Sequence, residues 1–463
     1  MNKTETKIVY LPLILIETYL IFSLLLYQFG PIKWATENVT LFWTYIVLYH
    51  VAFITGYLIF VKRLNIFDNN LIAANTIKNF IIKYIWAFLG ICAVMSIIKY
   101  RNIVGTSNFI PWDLPTEFIK GLVNPGEQYY AKAAISGLTS YNGNKLLTGI
   151  LALFAFVLSS MIPICVFLWE HIKRSQKIVF FMLVFFELAT WISIGTNKGI
   201  FDLLFLFAVA IVIDLIVNFK TNKFRTLKDK LLLVSFTIFL LIFSGWFYSW
   251  GMTTRVGSIV AYTEQMTESN TIAEQPTEVS QQPVPEVKIK SGAALMFDNF
   301  IYGISSYICQ GYYGMSLAVD EPFTSTYGIG NSYFLSSNFK SFFGIDVEPF
   351  TYQAKVSDKW NQHEQWHSFY SYMANDFHFI GVIFIMFLLG AFLAVTYKEA
   401  IYGENIFSQC LLPVFVILFL YMPANNQVFG YMQSFCTFFE LTILWFFSRK
   451  WGKKMQTIEV SSH

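Results

Sequence analysis

The chain has 463 residues, of which 55% are hydrophobic and only 13% charged. A soluble globular protein carries roughly 25% charged residues, so this chain lacks the charge to cover a water-facing surface. Its net charge of +3 is too small to suggest a nucleic-acid partner, and its mean hydropathy of +0.51 points to lipid.

A helix rising 1.5 Å per residue needs about 20 apolar residues to cross the hydrocarbon core. Runs of that kind fall at 8–29, 41–61, 79–100, 147–169, 178–196, 200–218, 231–250, 370–396, 406–424 and 428–448. They predict an all-α integral membrane protein with about ten transmembrane helices. The first run is too long for a cleavable signal, and no small-residue cleavage site follows it. The fifth and sixth are divided only by Thr196, Asn197, Lys198 and Gly199, which reads as a tight re-entry.

Lys and Arg in the connecting loops predict the orientation. One set of loops holds Lys62, Arg63, Lys78, Lys173, Arg174, Lys177, Lys220, Lys223, Arg225, Lys228, Lys230 and Lys398, and the two termini add more. The alternate short loops are poor in positive charge, which places both termini in the cytoplasm of a multi-pass protein of the cytoplasmic membrane. Two loops on the opposite face are large. The chain then divides into 1–250 with the loop 101–146, the loop region 251–369, and 370–463 with the last spans and a short tail. Residues 263–290 have almost no large apolar side chains and read as a disordered insert. From Ala293 the chain turns apolar and aromatic, interrupted by Gly and Ser. That pattern fits an amphipathic helix lying on the membrane, a packed layer, or a pair of half-spans.

The five cysteines are scattered, and only Cys309 lies outside the apolar runs, so the outer loops hold no internal disulfide and no zinc motif. Glu17, His50, Glu187 and Glu440 lie near the middles of their spans, where an ionisable group costs about 2.5–3.5 kcal/mol. Hydrogen bonds within the protein are the simplest account of them. Among the arginines, only Arg101 and Arg255 face outward, joined by Lys99 and Lys198. Contact with lipid head groups would explain such cations; so would a lipid-linked diphosphate, which Arg binds through paired hydrogen bonds. Glycines flanking Asn197 and Lys198 would let backbone amides approach the same anion.

Before the eighth span, His363, His367 and Tyr370 would share one face of a helix starting near His363. The letters from His363 to His367 fit HExxH, for which His378 or Asp376 would have to supply a third zinc ligand. A general base or hydrogen-bond donor from His363, His367 or Asp376 is the preferred reading, without metal. The nearest relative of a metal-holding DxD pair is Asp346-Val347-Glu348, which reads as solvated.

Three patches resemble the oligosaccharide repeat-unit polymerases, the Wzy-like O-antigen and capsule polymerases. Ile194-Gly195-Thr196-Asn197-Lys198-Gly199 is similar to the family's small-residue turn carrying a basic residue, usually Arg. Thr326-Tyr327-Gly328-Ile329-Gly330-Asn331-Ser332-Tyr333 is similar to its YG-rich segment. His367-Ser368-Phe369-Tyr370, continuing through Ala374-Asn375-Asp376-Phe377-His378-Phe379-Ile380-Gly381, is similar to its aromatic approach to a late span, with His378 where Gly is common. The resemblance implies inverting glycosyl transfer between two polyprenyl-diphosphate-linked oligosaccharides at the outer face of the membrane. It implies no cofactor and no nucleotide-sugar site. Partners would be the lipid-linked oligosaccharides, membrane lipid, and a chain-length regulator and flippase of the same pathway. Under it, Arg101, Lys198 and Arg255 are candidates for the diphosphate, and His363, His367 or Asp376 for the base. Tyr312, Tyr313, Tyr327 and Tyr333 are candidates for stacking on sugars. The competing readings are a transporter or flippase of lipid-linked glycans, and an O-antigen ligase-type transferase.

Overall fold

A computed structural model describes residues 3–63, 68–105, 110–138, 145–220, 230–270 and 293–461, and no strand occurs among them. The first half of the chain forms α1 (Lys3–Phe29), α2 (Val39–Arg63), α3 (Asp68–Lys83), α4 (Ile85–Val104), α5 (Leu114–Val123), α6 (Pro125–Leu138), α7 (Lys145–Leu153), α8 (Ala155–Phe167), α9 (Arg174–Ser193) and α10 (Lys198–Lys220). The second half forms α11 (Leu231–Asn270), α12 (Ala293–Ala318), α13 (Tyr333–Phe343), α14 (Tyr352–Lys355), α15 (Phe369–Tyr402), α16 (Ile406–Tyr421) and α17 (Met432–Ser461). Of the expected insert, 263–270 continue α11 and the rest lies outside the described residues.

Among the described residues, eight helices are long and apolar enough to cross a membrane: α1, α2, α4, α7 with α8, α9, α10, α11 and α15. The chain is an all-α membrane protein. The other two expected spans fall on α16 and α17. At 16 residues, α16 is short for a crossing, while Gln433, Ser434, Thr437, Glu440 and Thr442 dilute the apolar character of α17.

Three of the expected spans are broken. The run at 79–100 divides at Tyr84, between α3 and α4, and the run at 147–169 divides at Phe154. The second break explains Glu440: the amide of Phe156 donates to its carboxylate at 2.9 Å, supplying the acceptor that a new helix start lacks. Glu17 pairs with His50 at 2.6 Å, and Glu187 with Lys99 at 2.6 Å. The four membrane-buried groups thus occupy three separate places, each with a partner. The third break lies inside α15, where His378 takes φ 55° and ψ 159°. That region is essentially reserved for glycine. The position where the resemblance anticipates Gly is therefore one whose backbone calls for it. His378→Gly should raise stability by about 1 kcal/mol, measured by thermal unfolding in detergent. A fall would mean that the His378 ring, 5.4 Å from that of Phe323, contributes more than the strain costs.

Contacts between loops gather at the two ends of the bundle. At one end Lys359 pairs with Glu37 at 2.9 Å, Gly126 donates to Thr254 at 3.0 Å, and Asn426 donates to the Asn331 carbonyl at 2.6 Å. At the other, Lys398 donates to the Val61 carbonyl at 3.0 Å and Asn405 to Ser448 at 2.8 Å. The apolar segment after Ala293 is a packed layer across the first end. In α12, Cys309, Tyr312 and Met315 are fully buried. A Cβ on Gly311 would lie 2.3 Å from the Pro423 carbonyl oxygen and 2.6 Å from the Ser368 nitrogen, so only glycine allows this approach. Cys309 is a buried thiol of this layer, facing the Ser23 carbonyl at 3.6 Å.

Candidate functional site

Two polar clusters form at the end of the bundle that carries the large loops. The first is a cavity of about 90 Å³ lined by α4, α8, α9, α10, α16, α17 and the turn before α17. Lys99 enters it from the last turns of α4, bound to Glu187, whose other oxygen accepts from Ser96 at 3.0 Å. The ammonium also lies 4.8 Å from the Trp191 ring centre. Lys198, in the first turn of α10, pairs with Asp202 at 3.2 Å and sits 5.7 Å from the Trp191 ring and 5.5 Å from Tyr431. Aromatic faces of this kind favour a cation. Gly199 makes the arrangement possible, because a Cβ there would overlap the Trp191 ring at 2.0 Å.

Several buried polar atoms of this cluster have no hydrogen-bond partner among the described residues. They are Thr196 Oγ1, Asn197 Oδ1, Asp202 Oδ1 and Gln427 Nε2. Gln427 is only 2% exposed and lines the cavity. Unpaired buried polar groups are uncommon and costly. The cavity therefore combines two cations, the unpaired Gln427 amide donor and the unpaired Asp202 oxygen, a set that suits a ligand bearing both anionic oxygens and hydroxyls. Its acids, Glu187 and Asp202, balance its lysines. Gln427 carried no signal in the sequence, where it is one more amide in a turn.

The second cluster is a loop wrapped around Asp376. One carboxylate oxygen accepts from the Gly328 amide at 2.7 Å and from the Thr326 hydroxyl. The other accepts from the Asn331 amide at 2.9 Å and its side chain at 2.6 Å. Tyr327 and Gly328 have φ of 56° and 83°, so the loop curls its N–H groups inward as an anion nest. Asp376 fills that nest. Its neighbour Asn375 is buried and holds the Tyr352 amide, the Gly330 carbonyl and Gln353. The outer turns of α15 thus organise the loop layer, and Asp376 is the anchor of that loop, with its acceptor sites occupied.

The chain matches no protein-family model, no curated protein and no solved structure.

The segment from His363 to His367 is a turn. Asn361 accepts from the His363 amide through its side chain at 3.0 Å, and Ser368 caps α15. His363 and His367 consequently face different surroundings, and the expected shared helical face with Tyr370 does not form. His363 stands at the surface, its side chain 72% exposed and 3.7 Å from Glu348. His367 is fully buried against Gly314 and Trp360. Burial pulls its pKa down to about 3; the Trp360 main chain opposes the shift without the alignment of a hydrogen bond. His367 is neutral at physiological pH and a poor proton acceptor. Among the described residues, no three His, Cys, Asp or Glu side chains converge as metal ligands. Asp346 and Glu348 face Lys340 at 2.6 Å and 3.7 Å, and that contact holds the Asp346 carboxyl below its usual range.

The four tyrosines divide by exposure. Tyr312 is in the core, bonded to Ser23 at 3.0 Å and packed on Tyr27 and Phe42, so it offers no face to a sugar. Tyr313 packs between Trp34 and Trp360. Tyr327 and Tyr333 are 86% and 69% exposed, and these two can stack on a ligand. Arg101 lies two residues beyond Lys99, about 200° around α4, and does not line the cavity. Arg255 lies in α11, and its side chain is outside the described residues.

Proposed function

We propose that the chain is a polymerase of surface-polysaccharide repeat units, transferring a growing glycan from polyprenyl diphosphate to an incoming lipid-linked repeat unit. The observation that carries this reading is the join between the two clusters. Gln427 lines the lysine cavity, while its neighbour Asn426 donates to Asn331 of the loop carrying Tyr327. A cation cavity and an aromatic loop therefore share one turn, at the end of the bundle that on this reading faces outward from the cytoplasmic membrane. In the reaction, the acceptor hydroxyl oxygen bonds to the anomeric carbon of the donor glycan, and the bond from that carbon to diphosphate breaks. The electron pair leaves with the diphosphate, which Lys198 stabilises once it exchanges Asp202 for the anion. The hydroxyl proton passes to a base. Of the two histidines, His363 is the one that meets water, with Glu348 3.7 Å away.

Lys198→Ala should reduce surface glycan to single repeat units while the protein still inserts. Lys198→Arg, which restores the charge with a fork, should keep long chains. A normal chain-length ladder in Lys198→Ala would sink the diphosphate assignment.

A further inference from the structure

Helix α13 presents an apolar stripe that the rest of the protein covers only in part. Leu335, Phe339, Phe342 and Phe343 recur at i, i+4, i+7 and i+8 and fall within about 100° of the helix circumference. Ser337, Lys340 and Ser341 occupy the other side, with Lys340 tied to Asp346 and Glu348. None of the residues of α13 is buried, and Phe342 and Phe343 are 58% and 68% exposed. In water this stripe would be a liability.

Its placement indicates what covers it. The Phe334 amide donates to the Gly430 carbonyl at 2.9 Å, and the Phe334 ring lies 5.5 Å from Phe435 at the head of α17. Leu335 lines the upper mouth of a cleft of about 610 Å³ between α15 and α17. Leu388 and Phe439 on the walls of that cleft are 47% and 44% exposed, on helices that run through the bundle. The stripe is therefore continuous with the bundle's apolar outer surface. Four side chains on an 11-residue helix offer far less than the roughly 800 Å² per partner that a stable protein interface buries.

We propose that α13 lies in the plane of the membrane, with its stripe of Leu335, Phe339, Phe342 and Phe343 sunk into the lipid head-group boundary beside α17. Such a helix binds by burying its apolar face a few ångströms deep. It fixes the height of the Tyr327 loop at the level of the head groups, where a lipid-linked glycan carries its first sugars. The placement stands whether or not the polymerase reading does.

The test is a nitroxide label at Phe343→Cys, with Ser341→Cys on the opposite face and Phe342→Cys as a second site on the stripe. The full chain is placed in nanodiscs of palmitoyl-oleoyl phosphatidylglycerol, with the unsubstituted protein as background for Cys436. Labels at 343 and 342 should collide with a water-soluble nickel chelate several-fold less often than the label at 341, and more often with oxygen. Equal exposure of all three sites to the chelate would overturn the proposal. Shielding of the stripe from both reagents would overturn it too, by showing protein over that face.

Discussion

Replacing Glu187 by Ala should cost about 3–5 kcal/mol, because it strands a buried lysine without its counter-charge. Lys99 is 6% exposed and Glu187 5%, so bulk solvent does not reach the pair to replace the lost carboxylate. The loss should register as a lower melting temperature in detergent and as reduced accumulation in the membrane. Removing both charges together, as Lys99→Met with Glu187→Met, should recover most of that stability, since apolar replacements of a buried pair are often neutral. The double variant then separates two roles. If the pair only supports the fold, glycan chains stay long; if Lys99 also faces the anion, the protein folds and the chains are short.

Asp376→Ala should act locally. Four donors converge on this carboxylate, and a hydrogen bond to a charged group contributes about 1.5–3 kcal/mol. Without it, the inward-curled backbone at Tyr327 and Gly328 loses its reason to stay curled. Amide exchange at Gly328 and Asn331 should rise at least roughly tenfold, while the melting temperature of the bundle changes little. Unchanged exchange would show that Asn375, which holds the same layer from beneath, is sufficient alone. Asp376→Asn keeps the side chain's shape but swaps an acceptor oxygen for a donor, so it should loosen the loop as well.

How much of this was legible in the sequence depends on the range of the interaction. Apolar length is local, and it was enough to give an all-α membrane protein and most of its long helices. The breaks at Tyr84, Phe154 and His378 bear no proline or glycine, so local chemistry does not announce them; the resemblance alone hinted at the last. Pairings such as Lys99 with Glu187, 88 residues apart, need the fold before they exist. The adjacent Tyr312 and Tyr313 point about 100° apart on a helix, and the sequence does not say which turns inward. For the segment from His363 to His367 the signals were present but outvoted. Asn361 favours a turn and Ser368 caps a helix, yet the histidine spacing suggested a helix already under way.

The turn between α16 and α17 has a thermodynamic consequence. Asn426 and Gln427 are consecutive, buried, and committed to different clusters. A ligand that shifted that backbone at one cluster would alter the geometry offered at the other. Whatever coupling results has to be mutual: if occupancy of the lysine cavity tightens the grip of the aromatic loop, occupancy of the loop tightens the cavity by the same factor.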